Sequence, residues 1–116
     1  MDIRYKSTKL KKALATAKGH QKQGPQRAKL LRLRLDLLQN AETLADLAPP
    51  NSPPARCHEL NQGQRGKQRQ LSVDLDHPYR LIFVPDHDPV PTLEDGGLDW
   101  SRVTAVKILS VEDTHG

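Results

Sequence analysis

Residues 71–84 read Leu71-Ser72-Val73-Asp74-Leu75-Asp76-His77-Pro78-Tyr79-Arg80-Leu81-Ile82-Phe83-Val84. The first five alternate apolar and polar, the period of two that sends every second side chain to one face of a strand. Asp76-His77-Pro78 supplies turn chemistry, and Tyr79 to Val84 is rich in residues that pack well on a pleated surface. The segment therefore reads as a β-hairpin. Arg80 is a charge inside the second strand, so it either lies on the exposed face of the sheet or pairs with a carboxylate such as Asp74.

Working towards the N-terminus, Cys57 to Leu60 reads as a strand end, after the stiff connector Pro49-Pro50-Asn51-Ser52-Pro53-Pro54 and a short helical piece from Glu42 to Leu47. Before these the period is 3.6. From Gln26 to Asn40, Ala28, Leu31, Leu35 and Leu38 form one row, with Leu30, Leu33 and Leu37 beside it. Lys29, Arg32, Asp36 and Gln39 form the wet row. Ser7-Thr8 offers an N-cap to a first helix whose stripe is Leu10, Ala13, Leu14 and Ala17. Gly19 and Gly24-Pro25 are expected to end it and start the next. So wide an apolar face predicts a helix hairpin laid on a sheet rather than a two-stranded coiled coil.

Ile3 to Tyr5 is short and β-prone. Towards the C-terminus, Pro85, Pro89 and Pro91 with Gly96-Gly97 mark a surface excursion, and Val103 to Val111 is apolar enough on both faces for a central strand. The expectation is an α+β architecture over residues 1–116 as a single domain: one strand, two helices and three or four more strands, the helices on one face of a mostly antiparallel sheet.

The formal charge of +4 hides an asymmetry: residues 1–56 carry 12 Lys/Arg against 4 Asp/Glu, while residues 57–116 carry 6 against 10. The basic half suits a polyanion or an acidic protein partner. No run of 18 apolar residues occurs, so no membrane partner is expected, and the opening Met1–Lys6 has no apolar core of a secretory signal. A cytoplasmic protein is the expectation. Cys57 is the sole cysteine, which excludes an internal disulfide and a cysteine-built zinc site.

Several chemistries fail on spacing. His58-Glu59-Leu60-Asn61-Gln62 begins like the H-E-x-x-H zinc motif but has Gln62 where the second histidine must stand. Gly63-Gln64-Arg65-Gly66-Lys67 lacks the full phosphate-loop pattern, and no G-x-S-x-G hydrolase elbow occurs. His77 and Asp86-His87-Asp88 read as solvated turn residues, and no metal or cofactor is assigned. What remains is a set of His58, Arg80, Asp113 and His115 with the bases Arg56, Arg65, Lys67 and Arg69, converging if the last strand is central. This combination suits RNA cleavage. A histidine takes the ribose 2′ proton, a second protonates the leaving 5′-oxygen, and the cations hold the charge on the phosphorus. Tyr79 and Trp100 are read as packing residues rather than base-stacking ones.

The stretches "CHELNQGQRG", "LSVDLDHPYRLIF" and the closing "EDTHG" together resemble the HigB or "killer" branch of the RelE/ParE toxins of bacterial type II toxin–antitoxin modules. "HPYRLIF" and "EDGGLDWSRVTAVKIL" carry the likeness to this branch in particular. The resemblance implies a RelE-like, microbial-ribonuclease-like fold and mRNA cleavage at the ribosomal A site. It also implies relief by a helix-turn-helix antitoxin, with operator DNA bound only through that antitoxin. His58, Arg80, Asp113 and His115 match the family's site positions. Thr114 stands where the family has a tyrosine, and Asn61 where it has a lysine. These departures, and the gyrase-poisoning members of the superfamily, keep two alternatives open: a ParE-like gyrase inhibitor and a catalytically weakened binding protein.

Overall fold

In the computed structural model, which describes residues 1–60 and 69–113, the chain begins with β1 (Asp2–Tyr5), α1 (Thr8–Ala15), α2 (Ala17–Gln23) and α3 (Pro25–Asn40). A 3₁₀ turn at Leu44–Leu47 leads to β2 (His58–Glu59), β3 (Leu71–Asp74) and β4 (Tyr79–Pro85), and a second at Trp100–Arg102 leads to β5 (Ala105–Asp113). The five strands form one sheet in the order β1-β5-β4-β3-β2. β1 runs parallel to β5, and the other three pairs are antiparallel. The architecture is α+β with a mixed sheet.

The hairpin lies where its alternation placed it, with Leu71 opposite Phe83 and Asp74 opposite Arg80. Leu75 N donates to Tyr79 O at 3.0 Å and Tyr79 N to Asp76 O at 2.7 Å, which closes the turn. β5 is flanked by β1 and β4, the internal position its apolar run implied. Its register shifts between Ile82 and Phe83, a bulge that adds twist where β4 meets it. Leu31, Leu35 and Leu38 of α3 pack on the sheet with Leu71, Val73, Leu81, Phe83, Val106 and Ile108.

The helical region differs from the expected hairpin in two ways. First, it contains three helices. The break falls at Thr16, whose hydroxyl donates to Lys12 O at 2.6 Å and accepts from Gly19 N at 3.0 Å, so one side chain ends α1 and caps α2. Gly19 therefore does not end a helix: it is buried inside α2, against the last turn of α1. Gly24, at φ 92°, makes the turn into α3 in a conformation that only glycine adopts at no steric cost, and Pro25 follows at the first helical position. Second, the second leucine row is only partly covered: Leu30 packs against the core, but Leu33 is 47% exposed and Leu37 40%. Arg34, on the same helix, is buried instead.

Candidate functional site

β3 and β4 have two unlike faces. Leu71, Val73, Leu81 and Phe83 point to the helices, so Ser72 and Asp74 of β3 and Arg80 and Ile82 of β4 point the other way. His58 on β2 is registered with Ser72 and shares that second face. His58 and Asp74 are then diagonal neighbours across one strand spacing, with Cα atoms about 7–8 Å apart. His58, Asp74 and Arg80 are gathered by strand parity, a property of the sheet rather than of any one segment.

Arg56 joins them through an unusual backbone. It has φ 53°, a left-handed conformation rare for a residue with a side chain. The strain is held by main-chain bonds on either side: Arg56 N donates to Ser52 O at 2.8 Å, and Asp74 N donates to Ala55 O at 2.7 Å. The side chain reaches Asp74, with Nε 3.5 Å from Oδ2, while Arg80 Nε lies 3.4 Å from Oδ1. Both readings of Arg80 thus hold together: it is on the face away from the helices and it pairs with Asp74.

The carbonyl of Arg56 also orients the histidine. Nδ1 of His58 lies 2.8 Å from Arg56 O, and a carbonyl can only accept. Nδ1 therefore carries the proton in the neutral ring, and Nε2 is left with its lone pair. A third arginine, Arg34, comes from the helix side: its Nε donates to Asp74 O at 2.7 Å, and burial lowers its pKa from the ordinary arginine value, against the opposing charge of Asp74. Ser72 Oγ, between His58 and Ile82 on the shared face, is shielded from solvent and has no hydrogen-bond partner among the described residues.

Asp113 is not brought to this group. It is registered with Tyr79, whose ring lies under the guanidinium of Arg27 from α3, at 4.1 Å from Cζ to the ring centroid. That is the helix side of the sheet, whereas Arg80 is registered with Glu112. β2 and β5 are also separated by two intervening strands, about 14 Å at roughly 4.8 Å per step. The proposed convergence of the last strand with His58 thus fails for Asp113, because alternation puts neighbours 112 and 113 on opposite faces. Arg69 is drawn elsewhere, its Nη2 donating to Gly96 O at 2.5 Å. Arg65, Lys67 and His115, like Asn61 and Thr114, lie outside the described residues.

Other polar groups that the sequence singled out have structural partners. His87 Nε2 accepts from Thr104 N at 3.0 Å, and Asp86 takes Arg4 at 2.9 Å. Trp100 Nε1 donates to Glu59 Oε2 at 3.2 Å, so the ring serves the rim of the fold. Sequence reasoning missed two members of the cluster: Asp74 at its centre, weighed only as a partner for Arg80, and Arg34. Arg34 sits in the amphipathic pattern one position before the buried Leu35, and that placement was the signal available. Comparison of the chain with known protein families, with curated proteins and with solved structures finds no match.

Proposed function

We propose that the chain is the toxin of a type II toxin–antitoxin module, of the HigB branch of the RelE/ParE superfamily. In this reading it has the RelE-like arrangement of helices on a sheet and cleaves mRNA at the ribosomal A site. What supports the reading is one arrangement: His58, fixed as the Nδ1–H tautomer by the Arg56 carbonyl, shares the face away from the helices with Arg80, and Arg56 and Arg80 both reach Asp74 there. Nε2 of such a ring takes the 2′ proton. The freed 2′-oxygen attacks the adjacent phosphorus, the bond to the 5′-oxygen breaks, and an acid returns a proton to that oxygen. His115 is assigned that second role by the family likeness. The two guanidinium groups hold the phosphate oxygens as charge builds on them, and such a site works through protons and fixed cations without a metal.

The protein works in the cytoplasm on ribosome-bound mRNA, and a helix-turn-helix antitoxin with an acidic or amphipathic segment restrains it. The balance of +8 over residues 1–56, from 12 basic against 4 acidic side chains, supports an acidic partner. The test is induced expression with growth and mRNA 5′ ends followed together. Wild type is expected to arrest growth and leave new ends, and a His58→Ala, His115→Ala double variant to do neither. A double variant as toxic as wild type overturns the assignment, and arrest with intact mRNA and a DNA-damage response transfers it to gyrase.

A further inference from the structure

The two guanidinium groups of the proposed phosphate site already hold an anion, the carboxylate of Asp74, which lies 3.4 Å from Arg80 Nε and 3.5 Å from Arg56 Nε. Another pair in the same protein shows what tight coupling looks like. Arg27 meets Asp76 through two directed bonds, Nε to Oδ1 at 2.5 Å and Nη2 to Oδ2 at 3.1 Å. Among the described residues Asp74 makes nothing comparable. Charge-assisted N–H···O bonds fall near 2.7–2.9 Å, both of its ion pairs are longer, and Oδ1 has no hydrogen bond among the described residues although it is shielded from water.

The main chain of Asp74, by contrast, is immobilised. Its N donates to Ala55 O at 2.7 Å, and its O accepts from Arg34 Nε at 2.7 Å. The carboxylate can leave the arginines by rotation of its own side chain while the strand stays in place. The arginines present surface to an incoming group, with side chains 57% and 34% exposed.

We infer that Asp74 is a tethered counter-ion of the Arg56–Arg80 site, occupying it in the free protein and yielding it to a phosphodiester of single-stranded RNA. The inference rests on the nuclease reading for the identity of the incoming anion. Asp74 sets specificity by competition: a ligand must displace a resident charge, so an anion that offers nothing beyond its own charge binds weakly, whereas a chain that also engages the surrounding surface enters. It also keeps two like charges close together in the free protein without mutual repulsion.

The experiment compares wild type, Asp74→Asn and Asp74→Glu for binding a labelled single-stranded RNA that 2′-O-methylation protects from cleavage. Asp74→Asn is expected to bind about fivefold more tightly or better, the weight of one unit charge at about 4 Å in water. Its affinity should also fall more steeply with salt, by about 0.7 in log–log slope for each additional phosphate neutralised. Asp74→Glu should track wild type, and Asp76→Asn should leave binding unchanged. Unchanged or weaker binding by a folded Asp74→Asn variant overturns the inference. If that variant does not fold, the Asp74 carboxyl carbon resonance of wild type is followed on adding the same RNA. It is expected to move while that of Asp76 does not, and an unmoved Asp74 overturns the inference equally. Tighter binding without cleavage of unmodified mRNA sinks the nuclease reading alone; cleavage with unchanged affinity sinks this inference alone.

Discussion

Nδ1 of His58 lies 2.8 Å from the main-chain oxygen of Arg56, so the residue that supplies one cation of the site also fixes the tautomer of its histidine. Asparagine can offer an N–H to that oxygen but no nitrogen that shuttles a proton. His58→Asn is therefore expected to keep RNA affinity and lose turnover by about 10²–10⁴-fold, the usual weight of a general acid–base group. Cleavage kinetics and binding measured on the same preparation check it, and loss of affinity with turnover intact would contradict the role.

Arg27 holds the Asp76 carboxyl below its ordinary value, chiefly through its hydrogen bonds, with desolvation opposing. A depressed folded pKa contributes stability above the usual carboxylate range, and that contribution is lost as pH falls through the lowered value. Asp76→Asn should cost about 1 kcal/mol at neutral pH, and the gap from wild type should close on acidification. Urea midpoints between pH 7 and pH 3 decide it.

Cys57 is 1% exposed, and burial, aided by the charge of Glu59, pushes its thiol from 9.0 up to about 12. A raised folded pKa stabilises fully below the unfolded value and is lost as pH rises towards the folded one. This group alone should lower stability by about 1.4 kcal/mol per pH unit above pH 9. Cys57→Ala will be weaker at neutral pH for want of packing but should lack that alkaline slope. Denaturant midpoints from pH 8 to pH 11 measure both effects.

Replacing a glycine inside a helix by alanine ordinarily stabilises by up to about 1 kcal/mol. At Gly19 the sign should reverse, because an added methyl would run into the main-chain oxygens of Lys12 and Ala13 where α1 meets α2. Gly19→Ala is expected to cost about 1–3 kcal/mol, while Gln21→Ala on the exposed side of the same helix should be neutral or slightly stabilising. A melting temperature unchanged by Gly19→Ala would show that the two helices can part at little cost.

Local periodicity was enough for the hairpin at 71–84, the internal last strand, the buried row Leu31, Leu35 and Leu38, and hence the α+β class. Those signals are carried by neighbouring residues, and they survive folding because the buried face must be apolar whatever it packs against. Gly19 misled for the opposite reason. A glycine that ends a helix and one that lets two helices touch look the same in sequence, and the break was set by the hydroxyl of Thr16 instead.

The site divides along the same line. That histidine, arginines and carboxylates were present could be read from composition and spacing. Which of them meet was set by register, since a shift of one residue sends a side chain through the sheet. Register brought His58, Asp74 and Arg80 to one face, sent Asp113 to the other, and let Arg34 reach the back of Asp74 from a helix 40 residues away in the chain. Chemistry of residue type is local, but juxtaposition across strands arises only once the whole sheet has closed.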